Sequence, residues 1–507
     1  MTRLYQLLGG LTMYRVVLYY LIALDGAGAL WAAFGRVQFG ILPLLFSVAI
    51  LLATCIGTNR AFAWAFEAHT NPESSIITAL ILSLIITPAI TVPTAEFLVA
   101  ASVLATATKY LLAVNKVHVF NPAAMGVVLT ALLAGQAASW WVGSAAMLPF
   151  VLAGGIVVVT KLQRWTLVST FLVTATAVTV VLGLQSGVLA RDLTGLFIQS
   201  PLFFLAAVML TEPMTLPARL RQQGIYAGLV GMLFPPQVHL GTIFLTPELA
   251  LVAGNAYAYL VSPRIRINAV LRNRHTTSGP DLADLVFTVD RRVAFEPGQY
   301  MEWTLPHMHP DSRGVRRYFT IASAPTEDTL RLGLIIPARA SSFKRELMTL
   351  SQHGKAAALS ASQLGGDFIM PKDPSARLVF IAGGVGITPF RSMIKSLMDR
   401  KEKRDIVLLY SEYRKERLSY MRLFEEARQA IGLSIVPFLT HEKTEARDPR
   451  YRYGFITAQA IAAEVPDYRE RIFYVSGSPP MVSAMKRSLR ELHVPRARIR
   501  TDYFPGY

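Results

Sequence analysis

Cysteine is all but missing from this 507-residue chain, whose one thiol is Cys55. A single cysteine excludes an intrachain disulfide framework, a protein-held iron–sulfur cluster and a cysteine-rich zinc site. Charge is scarce as well: 16% of residues are Asp, Glu, Lys or Arg and 52% are hydrophobic, more apolar than a soluble enzyme of this length. The shortage is uneven, because residues 1–262 hold 11 of the 50 Lys and Arg and 7 of the 33 Asp and Glu. The first half therefore reads as a membrane domain and the second, with a net charge of +13 against +4, as a soluble one. Histidine is sparse in the first half too, at His69, His118 and His239, each alone near a predicted helix end. Haem held within a membrane needs paired histidines on facing helices, so a haem-type transmembrane reductase is the lesser reading. No basic–aromatic module is present, so nucleic acid is not an expected partner. The first apolar run is followed directly by others, so no cleavable leader is expected.

What is there begins with apolar segments at about 12–34, 40–57, 75–93, 95–114, 121–137, 145–160, 166–185, 193–211, 223–236 and 239–262. Each nears the length of a membrane span, which predicts about ten helices in two five-helix repeats. With both termini cytoplasmic, the inner connections carry Arg3, Arg60, Lys109, Lys116, Lys161, Arg164, Arg219 and Arg221, and the outer ones only Arg36 and Arg191. That asymmetry obeys the positive-inside rule and puts Arg264, Arg266, Arg272 and Arg274, with the soluble half, on the cytoplasmic side of the cell membrane.

Polar groups beside prolines interrupt the apolar segments at corresponding places in the two halves: Lys109-Tyr110, His118 to Ala124 (His-Val-Phe-Asn-Pro-Ala-Ala) and Thr211-Glu212-Pro213. Asn121 and Glu212 either cap helix ends or build a central site between paired, interrupted helices. With the Asn-Pro-Glu-Ser-Ser-Ile-Ile-Thr-Ala-Leu run at 71–80, these motifs resemble the RnfD/NqrB membrane family, which serves Rnf complexes and the Na+-translocating NADH:quinone reductase. The likeness covers roughly residues 15–262. That family carries FMN on a threonine about nine residues before the acidic-Pro step. Here that place reads Gln199-Ser200-Pro201-Leu202-Phe203-Phe204, without a threonine, and Thr174-Ala175-Thr176 lies on an ordinary apolar helix. Covalent FMN is therefore not expected, whereas a second, non-covalent flavin or a quinone remains open.

From about residue 263 the pattern changes to short alternating strands with turns, as in Leu282 to Val289 and Tyr300 to Leu305, which predicts a small antiparallel β-barrel. Arg316-Arg317-Tyr318-Phe319-Thr320 follows. An arginine two residues before an aromatic ring, then a hydroxyl, can hold a diphosphate, stack a flat ring and donate to a ring nitrogen. The same residues also fit a surface arginine beside a packed aromatic. His307-Met308-His309 and Asp311-Ser312-Arg313, lacking a third metal ligand nearby, read as a solvated loop, and no metal site is expected.

Val379 to Phe390 runs from an apolar strand into Gly383-Gly384-Val385-Gly386 and then Thr388-Pro389, which reads as an N-cap with proline at the first helical position. Such a turn is either a tight connection or a cradle whose backbone N–H groups and helix dipole hold a phosphate. Alternation after it predicts a doubly wound α/β sheet: strands 405–410, 433–439 and 472–476, helices 418–431, 457–463 and 480–492. At the end of the second strand Glu412 favours NADH, whereas Arg414 and Arg417 favour a 2′-phosphate.

The order of these motifs, closing with Tyr474-Val475-Ser476-Gly477-Ser478-Pro479-Pro480-Met481 and Tyr503-Phe504-Pro505-Gly506-Tyr507, resembles the ferredoxin-NADP+ reductase superfamily over about residues 268–507. The resemblance implies an FAD-binding barrel at 268–373 and an NAD(P)-binding α/β domain at 374–507. By it, Arg317 meets the FAD diphosphate, Phe319 stacks on the isoalloxazine, Thr320 lies near its N5, and Ser341 and Ser342 cap a helix at the diphosphate, with Ala338 replacing the usual glycine. Gly383, Gly384, Gly386 and Thr388 would hold the nucleotide phosphates, and Gly477 and Pro479 would admit the nicotinamide. Ser476, standing where many relatives have cysteine, and Phe504 would join Thr320 around hydride transfer, with Tyr507 at the flavin. The expectation is a membrane-bound flavin oxidoreductase passing electrons from cytoplasmic NAD(P)H through FAD to quinone or to an extracytoplasmic carrier. The rival of another class is a redox-driven or redox-sensing transporter.

Overall fold

Each apolar stretch of the first half becomes a helix in a computed structural model, which describes residues 12–67, 72–115, 117–241, 243–262, 265–276, 282–311, 314–336, 340–352, 358–441 and 448–502. The chain divides into two compact units, a helical one and a second that begins at Ile265. The helical unit comprises α1 Met13–Ala33, α2 Ile41–Ala65, α3 Pro72–Ile85, α4 Val92–Leu111, α5 Pro122–Ala134, α6 Leu148–Leu162, α7 Trp165–Ser186, α8 Leu189–Ile198, α9 Leu220–Leu233 and α10 Pro247–Val261. After α8 a helical turn, Leu202–Phe204, runs into a π-helical stretch, Leu205–Met209.

Ten spans were expected from hydropathy, but among the described residues only α1, α2 and α7 are long and apolar enough to cross a bilayer. A fourth arises if α8 and Leu202–Met209, bent by 50°, count as one. Capping chemistry shortens several others. In α5, Asn121 caps the start, Pro122 follows it, and left-handed Gly135 ends the helix after 13 residues. Large apolar side chains on this unit face outward, Trp64 at 86% exposure and Leu42 at 78%, as on a surface that lipid or a partner covers.

The second unit holds two six-stranded sheets. Strands β1 Arg266–Thr276, β2 Leu282–Val289, β3 Tyr300–Thr304, β4 Arg316–Thr320, β5 Leu330–Ile335 and β6 Ala358–Gly365 form an antiparallel, barrel-like sheet in the order β4-β3-β6-β1-β2-β5. Alternate residues of these strands, among them Phe287, Met301, Trp303 and Leu332, turn inward with Phe343 of α11 (Ser342–Gln352) to make its core.

The other sheet is parallel: β7 Leu378–Gly383, β8 Ile406–Glu412, β9 Ser434–Leu439, β10 Arg452–Tyr453, β11 Ile472–Ser476 and β12 Ile499–Asp502, ordered β10-β9-β8-β7-β11-β12. Its central strand is buried on both faces, which is why it reads as an unbroken apolar run. Phe380 packs with Phe390 of α12 (Thr388–Arg400) and Phe424 of α13 (Met421–Ile431). On the opposite face Val379 and Ile381 share a core with Ile461 of α14 (Ala458–Glu464) and with Val482 and Met485 of α15 (Pro479–Glu491). From β7 the chain winds out to β10 and then returns to β11 on the other side, so a topological switch lies between the ends of β7 and β11. Open α/β sheets bind ligands in the crevice at such a point.

Candidate functional site

At that crevice the glycines are compelled by neighbours. A Cβ on Gly386 would stand 2.2 Å from the Ser476 carbonyl oxygen, and one on Gly383 would stand 1.9 Å from Sδ of Met481. Gly384 has φ +56°, a left-handed backbone that favours glycine. The strand thus passes through a short 3₁₀ turn, Gly384–Ile387, pressed against the end of β11 before α12 begins. Thr388 is the first helical residue and not the cap: its hydroxyl donates to the Val385 carbonyl at 2.9 Å, which pins the turn from inside. The N-cap expected at Thr388 is therefore corrected, since the 3₁₀ turn moves that position to Ile387.

Ser476 ends β11 buried, and its hydroxyl lies 3.4 Å from Oδ2 of Asp502 on β12, a residue not singled out in the sequence. Burial raises the Asp502 carboxyl to about 7. Gly477 is half-buried, and the exposed Pro479 opens α15. Glu412 ends β8 with Oε1 3.9 Å from where a Gly384 Cβ would be, and burial raises its carboxyl to about 7. Beside it Tyr413 stacks on His441 with ring centroids 3.8 Å apart, and the guanidinium groups of Arg414 and Arg417 lie 5.9 and 5.7 Å from the Tyr413 ring.

In the barrel-like sheet, β4 places Arg317, Phe319 and Thr320 as the pattern predicted, with Arg317 and Thr320 buried and Phe319 half-buried. The Arg317 guanidinium pairs with Asp311 at 2.9 Å and lies 5.5 Å from the Phe343 ring. Asp311 also accepts from the Ser342 N–H at 3.1 Å, while the Ser342 hydroxyl accepts from the Asp311 N–H at 2.8 Å and contacts Nε2 of His307 at 3.0 Å. Ser341 caps the first turn of α11 through the Lys344 N–H at 3.4 Å. Arg317 and the start of α11 thus converge on the Asp311 carboxylate. Of the 307–311 segment, expected to be solvated, Met308, His309 and Pro310 are exposed, whereas His307 and Asp311 turn into this corner. Its signal in the sequence is Asp311 and His307, six and ten residues before Arg317. Phe504, Tyr507 and Ala338 lie outside the described residues.

In the helical unit the structure brings together His118, Asn121 and Glu212 of the interrupting residues, while Lys109 bonds to Ser74 and Tyr110 to Asn59. Asn121 Nδ2 donates to Glu212 Oε2 at 2.8 Å, and Nε2 of His118 lies 3.1 Å from Oε1. The Asn121 N–H donates to Asn255, whose amide donates to the Tyr226 hydroxyl. Asn121 both caps α5 and joins this centre, so the two sequence readings are compatible. The cavity beside it, lined by Ser74, Thr78, Thr211 and others, has a volume of about 70 Å³.

Comparison with known proteins bears on the second unit. Residues 380–487 match the oxidoreductase NAD-binding domain family. The flavohemoprotein of Bacillus subtilis is 28% identical over 204 residues, 39% of this chain and 48% of that protein. The reductase component DmpP of phenol 2-monooxygenase from Pseudomonas sp. strain CF600 is 28% identical over 216 residues, 42% of this chain and 58% of its own. The C-terminal half is an NAD(P)H-dependent FAD oxidoreductase module. The chain spans about half the length of the curated relatives it matches. Among solved structures it is similar to the Amycolatopsis cytochrome P450 reductase GcoB, at 26% identity, 48% coverage of this chain, 70% of that one, and a TM-score of 0.42.

Proposed function

We propose that this protein is a membrane-bound electron-transfer flavoenzyme that takes reducing equivalents from cytoplasmic NAD(P)H and delivers them, through FAD, to a quinone or to a carrier beyond the membrane. The observation that carries the reading is the crevice between β7 and β11. There a glycine cradle, in which Gly386 has no room for a side chain, lies against Ser476, in the same unit as the Arg317–Ser342 corner. Gly383, Gly384, Gly386 and Thr388 would hold the nucleotide, Gly477 and Pro479 would admit the nicotinamide, and Arg317, Phe319, Thr320, Ser341 and Ser342 would hold FAD, with Phe504 and Tyr507 closing the flavin site. FAD accepts electrons as a hydride and can release them singly, which suits a change from a two-electron donor to a one-electron carrier.

Residues 1–262 serve in this reading as the membrane domain, 268–373 as the FAD domain and 374–507 as the nucleotide domain. Charge asymmetry supports a cytoplasmic module, and the direct Asn121–Glu212 bond supports a shared centre between the interrupted segments, as the proposed kinship with the RnfD/NqrB membrane family expects. Membranes carrying the protein should oxidise NADH or NADPH faster when a quinone, or an impermeant acceptor outside, is added. Oxidation that reaches neither acceptor would sink the proposal. Solute or ion uptake without reductant would favour the transporter reading, whose support is the buried polar centre between interrupted helices.

A further inference from the structure

Hydride transfer needs a flavin on the barrel and a nicotinamide on the α/β domain held within about 3–3.5 Å, and a misplacement of about 1 Å can cost ~100-fold in rate. What fixes that spacing is whatever ties the two sheets together, and the structure shows a short, buried tie close to both sites. Arg391 lies one turn beyond Thr388 on the helix that leaves the cradle. Its guanidinium grips both oxygens of Glu327, with NH2 to Oε1 at 2.9 Å, and also donates to the Ala322 carbonyl at 3.0 Å. The next residue, Ser392, donates to the Ser323 carbonyl at 2.6 Å. Ala322 and Ser323 follow Thr320, the residue assigned to the flavin, by two and three positions.

A second arm parallels the first. Tyr420, in the left-handed region at φ +60°, donates its hydroxyl to Asp284 of β2 at 3.2 Å, and its ring lies 5.9 Å from the Arg391 guanidinium. Gly333 of β5 makes room for this arm and for the start of α12: a Cβ there would stand 3.0 Å from the Tyr420 hydroxyl and 2.4 Å from Thr388 Cγ2. Arg391 and Asp284 are each only 4% exposed. A buried ion pair is a poor source of net stability, since an apolar pair of similar volume often does as well. A forked Arg–carboxylate contact does fix distance and angle. The chemistry chosen here is therefore that of alignment.

We propose that Arg391, Ser392 and Tyr420 are positioning residues that set the flavin–nicotinamide spacing, so that they control the rate of hydride transfer and not the affinity for either cofactor. This rests on the assignment of FAD and nucleotide to the two sheets made above. The test uses the full-length protein in detergent, loaded with FAD and mixed rapidly with NADH or NADPH while flavin absorbance is followed. R391K keeps the charge and loses the fork; Y420F removes one hydroxyl. Both should retain wild-type FAD content and bind nucleotide within about twofold, while the limiting rate of flavin reduction falls ~10-fold or more in R391K. A deuterated nicotinamide should then show a larger isotope effect in R391K than in wild type. Flavin reduction at the wild-type limiting rate in R391K would overturn the inference, and so would a loss confined to FAD content or nucleotide affinity. Wild-type protein that binds no FAD, or whose flavin neither nucleotide reduces, would instead overturn the underlying assignment and the clamp with it.

Discussion

Gly386 and Ser476, from opposite sides of the topological switch, meet so closely that a Cβ on the glycine would stand 2.2 Å from the serine's carbonyl oxygen. The carbonyl belongs to a sheet strand and cannot swing away. G386A should therefore cost at the upper end of ~1–3 kcal/mol by overpacking and prise the cradle from β11. G384A meets nothing nearer than 3.4 Å and carries only the strain of φ +56°. Thermal unfolding and NAD(P)H-driven flavin reduction should both rank G386A well below G384A, and an equal effect would refute the packing account.

Arg317 is held by Asp311, which also caps the start of α11. R317M should release FAD, with affinity lower by ~10-fold or more, as expected for losing a charged hydrogen-bond donor to a phosphate. D311N should lower it less, because the arginine stays but loses its anchor. Fluorescence of released flavin on dilution reads both effects.

Glu412 ends the strand where the adenosine ribose would lie, with its carboxyl raised to about 7 by burial. Above pH 7 it is anionic and repels a 2′-phosphate; below pH 7 it is neutral and does not. The preference for NADH over NADPH should rise as pH goes from 6 to 8, and E412Q should flatten that rise. Steady-state kcat/KM for each nucleotide across this range is the measurement, and a preference independent of pH in wild type would contradict it.

Asp502 is raised to about 7 by burial beside Ser476. Between about 4 and 7 the folded protein holds a proton that the unfolded chain has released, so this carboxyl's effect on stability worsens as pH rises through that window and levels off above it. D502N should remove the decline. Melting temperature against pH, compared between the two proteins, will show whether the difference grows from pH 5 to pH 7.

Glu212 accepts from Asn121 and meets His118. E212A strands the Asn121 amide in a buried site, at a cost of about 1–3 kcal/mol, whereas E212Q keeps one acceptor. If the helical unit carries electrons onward, E212A should impair oxidation of NAD(P)H linked to quinone while leaving reduction of a soluble dye intact. Equal loss with both acceptors would count against that division of labour.

The second unit was largely legible because its signals are local. Leu378–Gly383 announces itself as a strand buried on both faces, and glycines mark where backbone must approach backbone. The strands expected at 405–410, 433–439 and 472–476 and the three helices beside them fall within a few residues of their places, whereas the edge strands β10 and β12 were not expected. The largest shift is α13, which starts at Met421 because Lys415–Arg417 form a 3₁₀ turn and Tyr420 is left-handed. Less was visible of partnerships across long separations: Asp502 with Ser476, Asp311 with Ser342, and Arg391 with Glu327 join residues that no local pattern links. In the helical unit hydropathy finds the segments but not their ends, because caps such as Asn121 and kinks such as Leu205–Met209 depend on neighbouring helices.

The switch in strand order has a consequence for how the protein comes into being. β7 pairs directly with β11 although about ninety residues lie between them, and the crevice proposed for the nucleotide is made of both. During synthesis the glycine turn emerges long before the strand that completes it. Nascent chains therefore lack a working site until β11 has been threaded beside β7, and a ribosome-bound chain stopped short of Ser476 would be unable to draw on the cell's reduced nucleotide.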